Sequence, residues 1–88
     1  MYRLRCILLT SGQIRAARAL LRMEQKELAA RAGLSVETIK RLERQDGPLG
    51  VRLQTAAAIK TALEDAGAIF LPENGEGAGV RLRKGASR

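Results

Sequence analysis

The 88-residue sequence predicts a mainly α fold: four helices in one small domain, closed by a C-terminal β-hairpin, with a strand pattern at the N-terminus. Three observations predict it. Apolar residues recur at helical spacing in successive stretches between Thr10 and Gly67. The second and third stretches are separated only by Gly33-Leu34-Ser35, which leaves room for a tight turn and nothing longer. After Gly67 the pattern changes to two short runs, Ala68 to Leu71 and Val80 to Arg83, joined by a glycine-rich loop. The expected organisation is an N-terminal strand pattern over 1–9, a helical domain over 10–67, a hairpin over 68–83 and a basic tail over 84–88.

In order along the chain, residues 2–9 alternate. Tyr2, Leu4, Cys6 and Leu8 point one way and Arg3 and Arg5 the other. The segment reads either as an edge strand or as translation from an upstream start codon. Thr10 or Ser11 can cap a first helix over about Gly12 to Arg22, with Ile14, Ala17 and Leu21 as its buried stripe. Arg15, Arg18 and Arg22 make one flank of that helix basic, a pattern that ordinarily marks a solvated face. Met23-Glu24 is a short connection, and Gln25 opens the second helix. There its amide can bond a phosphate beside helix-terminal N–H groups, or it is simply a helix-start residue.

The stretch from Gln25 to Arg44, QKELAARAGLSVETIKRLER, carries the most information. Leu28, Ala29 and Ala32 form one apolar stripe, and small Ala29 stands where two helices must cross closely. Gly33 stands where the turn calls for a positive φ, which glycine adopts cheaply. Leu34 is an apolar plug, and Ser35 is a good N-cap for the third helix. Ile39 and Leu42 are the buried side of that helix, while Val36, Glu37, Lys40, Arg41 and Arg44 fall on other faces. A small residue, a turn glycine and two apolar anchors at these offsets form a helix-turn-helix signature. The bland alternative is an ordinary αα-hairpin in a bundle.

These residues resemble the Xre/Cro family of phage-repressor-like regulators over about Gln13 to Leu63. QKELAARAGLS matches the family's second helix and turn, and VETIKRLE matches its recognition helix. The resemblance implies a compact domain that lays its third helix in the major groove of double-stranded DNA. By position it implies base reading by Ser35, Val36, Glu37, Thr38, Lys40 and Arg41. Lys40 or Arg41 suits guanine O6 and N7, Glu37 suits cytosine N4, and Val36 suits a thymine methyl. Gln25 and Arg44 are expected on phosphates. The resemblance also implies that Arg18 pairs with Glu43, fixing the first helix against the third.

A fourth helix is expected over about Val51 to Ala66, after a turn at Asp46-Gly47-Pro48, with Leu53, Ala56, Ile59 and Leu63 as its core stripe and Gly67 as its C-cap. Beyond it, Gly75, Gly77 and Gly79 superficially suggest a phosphate loop, but no GK[ST] ending and no helix follow them. Ile69, Phe70, Leu71, Val80 and Leu82 are too apolar to leave open on so small a domain. They are expected to form a homodimer interface, with the N-terminal segment as a candidate for an exchanged strand. The alternative is a hairpin folded back as a lid on its own core.

Sixteen Lys and Arg against nine Asp and Glu give a net charge of +7, which favours a polyanionic partner or simply aids solubility. The surplus is uneven: residues 1–24 carry +4, 25–46 carry +1, 47–67 carry 0 and 68–88 carry +2. Basic flanks beside a nearly neutral reading head suit phosphate holding beside base discrimination. With one Cys and no His, neither an intrachain disulfide nor a zinc site is expected. No catalytic set, metal or cofactor is expected, no window reaches membrane-spanning length, and a reducing cytoplasm is the default setting. The leading expectation is a sequence-specific, homodimeric DNA-binding regulator. The alternatives are the antitoxin of a toxin–antitoxin pair, with a toxin as protein partner, and an RNA- or protein-binding helical module.

Overall fold

The computed structural model describes residues 9–45, 47 and 49–86. Four helices, α1 (Ser11–Leu21), α2 (Gln25–Ala32), α3 (Val36–Arg44) and α4 (Leu53–Ala66), precede strands β1 (Ala68–Leu71) and β2 (Gly79–Leu82). Of the N-terminal strand pattern over 1–9, all but Leu9 lies outside the described residues, as do Asp46, Pro48 and the last two residues of the tail. Leu9 is buried, and its carbonyl accepts the Leu49 N–H.

Of the two candidates, Thr10 caps α1. Its hydroxyl accepts from the Gln13 N–H at 3.1 Å, and the Gln13 side-chain oxygen accepts from the Thr10 N–H at 2.9 Å. This reciprocal capping box satisfies two donors near the helix start. α2 ends where Gly33 takes φ +72°, and the Leu34 N–H then closes onto the Ala29 carbonyl at 2.9 Å. Two residues after Gly33, Ser35 caps α3, its hydroxyl accepting from the Thr38 N–H at 3.1 Å. The turn is thus set by one residue that tolerates a left-handed backbone and one that caps.

The core is the set of stripes brought together. Ile14, Ala17, Leu21, Leu28, Ile39, Leu42, Ile59 and Leu63 are wholly buried, and Ala29 nearly so. Each large side chain among them contributes about 1.5–3 kcal/mol by leaving water. The expectation for Leu53 is corrected: it is 51% exposed. Arg52 is still extended, so α4 begins at Leu53, and its first turn lies beyond the packed part of the helix. Ala56, Ile59 and Leu63 are buried as expected, and Ala62 joins them.

Gly67 ends α4 with φ +122°. A Cβ there would stand 2.6 Å from the Ala86 Cβ, so the chain beyond the hairpin closes onto this point. β1 and β2 pair antiparallel, with Ala68 opposite Leu82 and Phe70 opposite Val80. Those four side chains pack on the helical core. Strand alternation puts Ile69, Leu71, Gly79 and Arg81 on the other face. No helix among the described residues is long and apolar enough to cross a membrane.

Candidate nucleic-acid interface

α3 is divided between an inward and an outward side. Ile39, Leu42 and Glu43 are buried, whereas Ser35, Glu37, Lys40, Arg41 and Arg44 are exposed. Glu37, Lys40, Arg41 and Arg44 follow i, i+3, i+4 and i+7 spacing, which aligns them along one stripe of the helix. That stripe offers three cations and one carboxylate to a partner. Val36 and Thr38 sit differently from the sequence expectation. Both are half-buried; Val36 packs against the core, and the Thr38 hydroxyl lies 2.9 Å from that of Ser35. Much of the surface of these two residues therefore serves the start of the helix.

The buried acid on α3 holds the helix to the rest of the domain. Arg18 of α1 forks onto the Glu43 carboxylate, Nε to Oε2 at 2.6 Å and Nη2 to Oε1 at 2.8 Å. Its remaining nitrogen, Nη1, donates to the Met23 carbonyl at 2.9 Å. The pairing of Arg18 with Glu43 is as the resemblance implied, and it is well shielded: the Glu43 side chain is 5% exposed and that of Arg18 21%. The guanidinium plane matches the two carboxylate oxygens, which makes this the strongest class of charged hydrogen bond.

Two further groups join this cluster. The Gln25 amide nitrogen donates to Glu43 Oε1 at 3.0 Å, and Arg15 donates through Nη1 to the Glu43 backbone carbonyl. Arg15 thereby satisfies one of the last carbonyls of α3, which no helical N–H reaches. Gln25 retains a second hydrogen on the same nitrogen, and Glu24 provides no side-chain cap for the first turn of α2. Among the described residues, no buried side-chain nitrogen or oxygen lacks a hydrogen-bond partner.

The hairpin is attached on another side of α1. Besides its capping role, buried Gln13 donates through Nε2 to the Gly79 carbonyl at 2.9 Å and the Leu71 carbonyl at 3.3 Å. Phe70, Val80 and Leu82 pack inward, Ile69 is half-buried, and Leu71 is 36% exposed. The glycine-rich loop has its own account. The Glu73 carboxylate accepts the N–H groups of Gly75 at 2.8 Å and Gly77 at 3.0 Å. Donors that could have cradled a phosphate are occupied by the chain itself.

Gln13 and Arg15 are the site residues that sequence reasoning missed. The Thr10-x-x-Gln13 spacing is a legible capping box, so half of the role of Gln13 had a local signal. Its bonds to the hairpin join residues 58 and 66 positions away and had none.

A family model described as "Helix-turn-helix" matches residues 14–59, just over half of the chain. The match begins within α1 at Ile14, spans α2, α3 and the first half of α4, and ends before the hairpin. No curated protein matches the chain.

Proposed function

Because the chain belongs to the Xre/Cro-like helix-turn-helix family of DNA-binding regulators, we propose that it reads a specific operator in duplex DNA and does so as a homodimer. The observation that carries this reading is the two-sidedness of α3. One side is fixed by Ile39, Leu42 and the Glu43 cluster; the other presents Glu37, Lys40, Arg41 and Arg44 to solvent. A helix held this firmly can discriminate base edges, because the cost of placing its backbone is met in folding and not at each encounter.

In this reading Lys40 and Arg41 donate to guanine in the major groove, and Glu37 accepts from cytosine N4. Ser35, Val36 and Thr38 contribute what their capping and packing leave exposed. Gln25, with its second amide hydrogen and the first-turn N–H groups of α2, serves a phosphate, as does Arg44. The second copy is recruited through the hairpin, whose Ile69 and Leu71 face away from the core while Phe70, Val80 and Leu82 support them from within. A two-fold dimer would set two recognition helices about 34 Å apart, one turn of the duplex.

Selection of bound duplexes from a random DNA pool tests this directly. The expected outcome is a two-fold symmetric consensus with half-sites one helical turn apart. No enrichment of any duplex, or preference for structured RNA, would refute operator reading.

A further inference from the structure

Among the described residues, three of the four helices close themselves. Arg22, Gly33 and Gly67, at the ends of α1, α2 and α4, take φ of 54°, 72° and 122°. The backbone N–H of each returns to two carbonyls of its own helix. Such left-handed endings satisfy carbonyls that no later turn can reach. α3 ends differently. Gln45 is extended, with φ −77° and ψ 164°, and its N–H returns to one carbonyl, that of Leu42. The helix that turns Lys40, Arg41 and Arg44 outward is therefore the one whose cap residue makes fewest bonds back to it.

A hold on that turn comes from α1. Arg15 donates through Nη1 to the Glu43 carbonyl, in the last turn of α3. A cation there also meets the negative end of the helix dipole. Gly12 lies one turn before Arg15, and a Cβ on it would stand 3.8 Å from Arg15 Nη2. The guanidinium thus lies back along α1, beside a position that has no side chain. One turn further on, Arg18 takes the carboxylate of the same Glu43. That bond reaches the helix only through the rotatable side chain of Glu43, whereas Arg15 grips the backbone itself.

We infer that Arg15 is the C-terminal cap of the recognition helix, supplied from α1, and through it a positioning residue for base reading. It touches no base. It fixes the turn from which Arg41 reads and Arg44 holds a phosphate. This rests on the operator reading above and adds to it the residue that keeps the reading turn in place. Without the cap, that turn frays, and ordering it again is charged to each encounter with the operator.

The test compares the full chain with Arg15→Met, which keeps the side-chain stem and removes the donors. Fluorescence anisotropy measures both proteins on the duplex that the unaltered chain selects and on a random duplex of equal length, over a salt series. The variant should lose about tenfold on the selected duplex, as expected for one hydrogen bond to a charged group. On the random duplex it should change by about twofold or less, with an unchanged slope of log affinity on log salt. In the free variant, amide exchange should rise across Lys40 to Gln45, and the Glu43 carbonyl-carbon resonance should shift. Equal losses on both duplexes, with a slope smaller by about one, make Arg15 a phosphate contact and overturn the inference. Unchanged affinity for both duplexes overturns it as well. If the unaltered chain selects no duplex, the operator reading fails by itself. Exchange across Lys40 to Gln45 then still decides the cap, and protection indifferent to Arg15→Met overturns it.

Discussion

α1 carries two dissimilar attachments. On one side it holds α3 through charge: Arg18 forks onto a carboxylate that is 5% exposed, and Arg15 reaches the backbone of the same residue. On another it holds the hairpin through a neutral amide, Gln13, and the packing of Phe70, Val80 and Leu82. A buried charged pair is strict, because either partner left alone in a dry site is strongly unfavourable. An amide on two carbonyls with half-buried apolar neighbours is more forgiving. The family match covers residues 14–59, so Arg15, Arg18 and Glu43 of the strict attachment lie within it, whereas Gln13, Leu71 and Gly79 of the forgiving one lie outside it.

The largest expected effect breaks the strict side. Arg18→Ala should cost about 3–5 kcal/mol of unfolding free energy, since it strands the more buried of the two charges. Glu43→Ala should cost less, because the Arg18 left behind keeps partial access to water and its bond to the Met23 carbonyl. Urea unfolding of both variants measures the order; equal or near-zero losses would show that burial does not govern the pair. On the outward side of the same helix, Arg41→Ala should weaken operator binding by about 1–3 kcal/mol and relax preference at one position, with little loss of stability. Equal losses on operator and random DNA would remove Arg41 from base reading. Gln25→Ala should instead weaken binding similarly on all sequences, and a changed consensus would contradict its phosphate role.

The forgiving side is sharpened by Gln13. Gln13→Ala should cost about 1–2 kcal/mol, through the lost cap and the two carbonyls left without its amide. Gln13→Glu separates those roles. Its carboxylate still accepts from the Thr10 N–H but faces the Leu71 and Gly79 carbonyls with negative charge. Hydrogen exchange should then rise in the hairpin more than in α1, and a uniform rise would mean the two attachments are not separable. The smallest effect belongs to Arg31→Ala. Arg31 meets Glu27 one turn away at 3.0 Å, but both are substantially exposed, so the cost to urea stability should be about 0.5 kcal/mol or less.

What was legible in the sequence follows the range of the interactions. Gly33, Ser35 and the spacing of Ile39 and Leu42 act within a turn or two, so the boundaries of α2 and α3 could be placed from residues alone. The hairpin is legible from the short apolar run Ala68–Leu71, the alternation of Val80–Arg83 and the glycine-rich loop between them. Leu53 was misplaced because its spacing continues the stripe of α4, and periodicity cannot say where neighbouring helices stop covering it. Arg15 looked like a solvated or phosphate-facing residue because its partner, the carbonyl of Glu43, has no signature in a side-chain sequence. Arg18 and Glu43 were paired only through resemblance; nothing in their spacing brings them together.

The hairpin tip has one more consequence. With the Glu73 carboxylate strutting the N–H groups of Gly75 and Gly77, a loop of small, permissive residues is given a fixed shape by its own chain. Such a loop would otherwise sample many conformations and lose that freedom on contact. Here those two bonds remove part of that freedom before anything arrives, so whatever meets the tip meets a partly formed template. Glu73→Gln should loosen it without changing its length, and the penalty should surface as a slower encounter with the partner, since a wandering tip presents the right shape only part of the time.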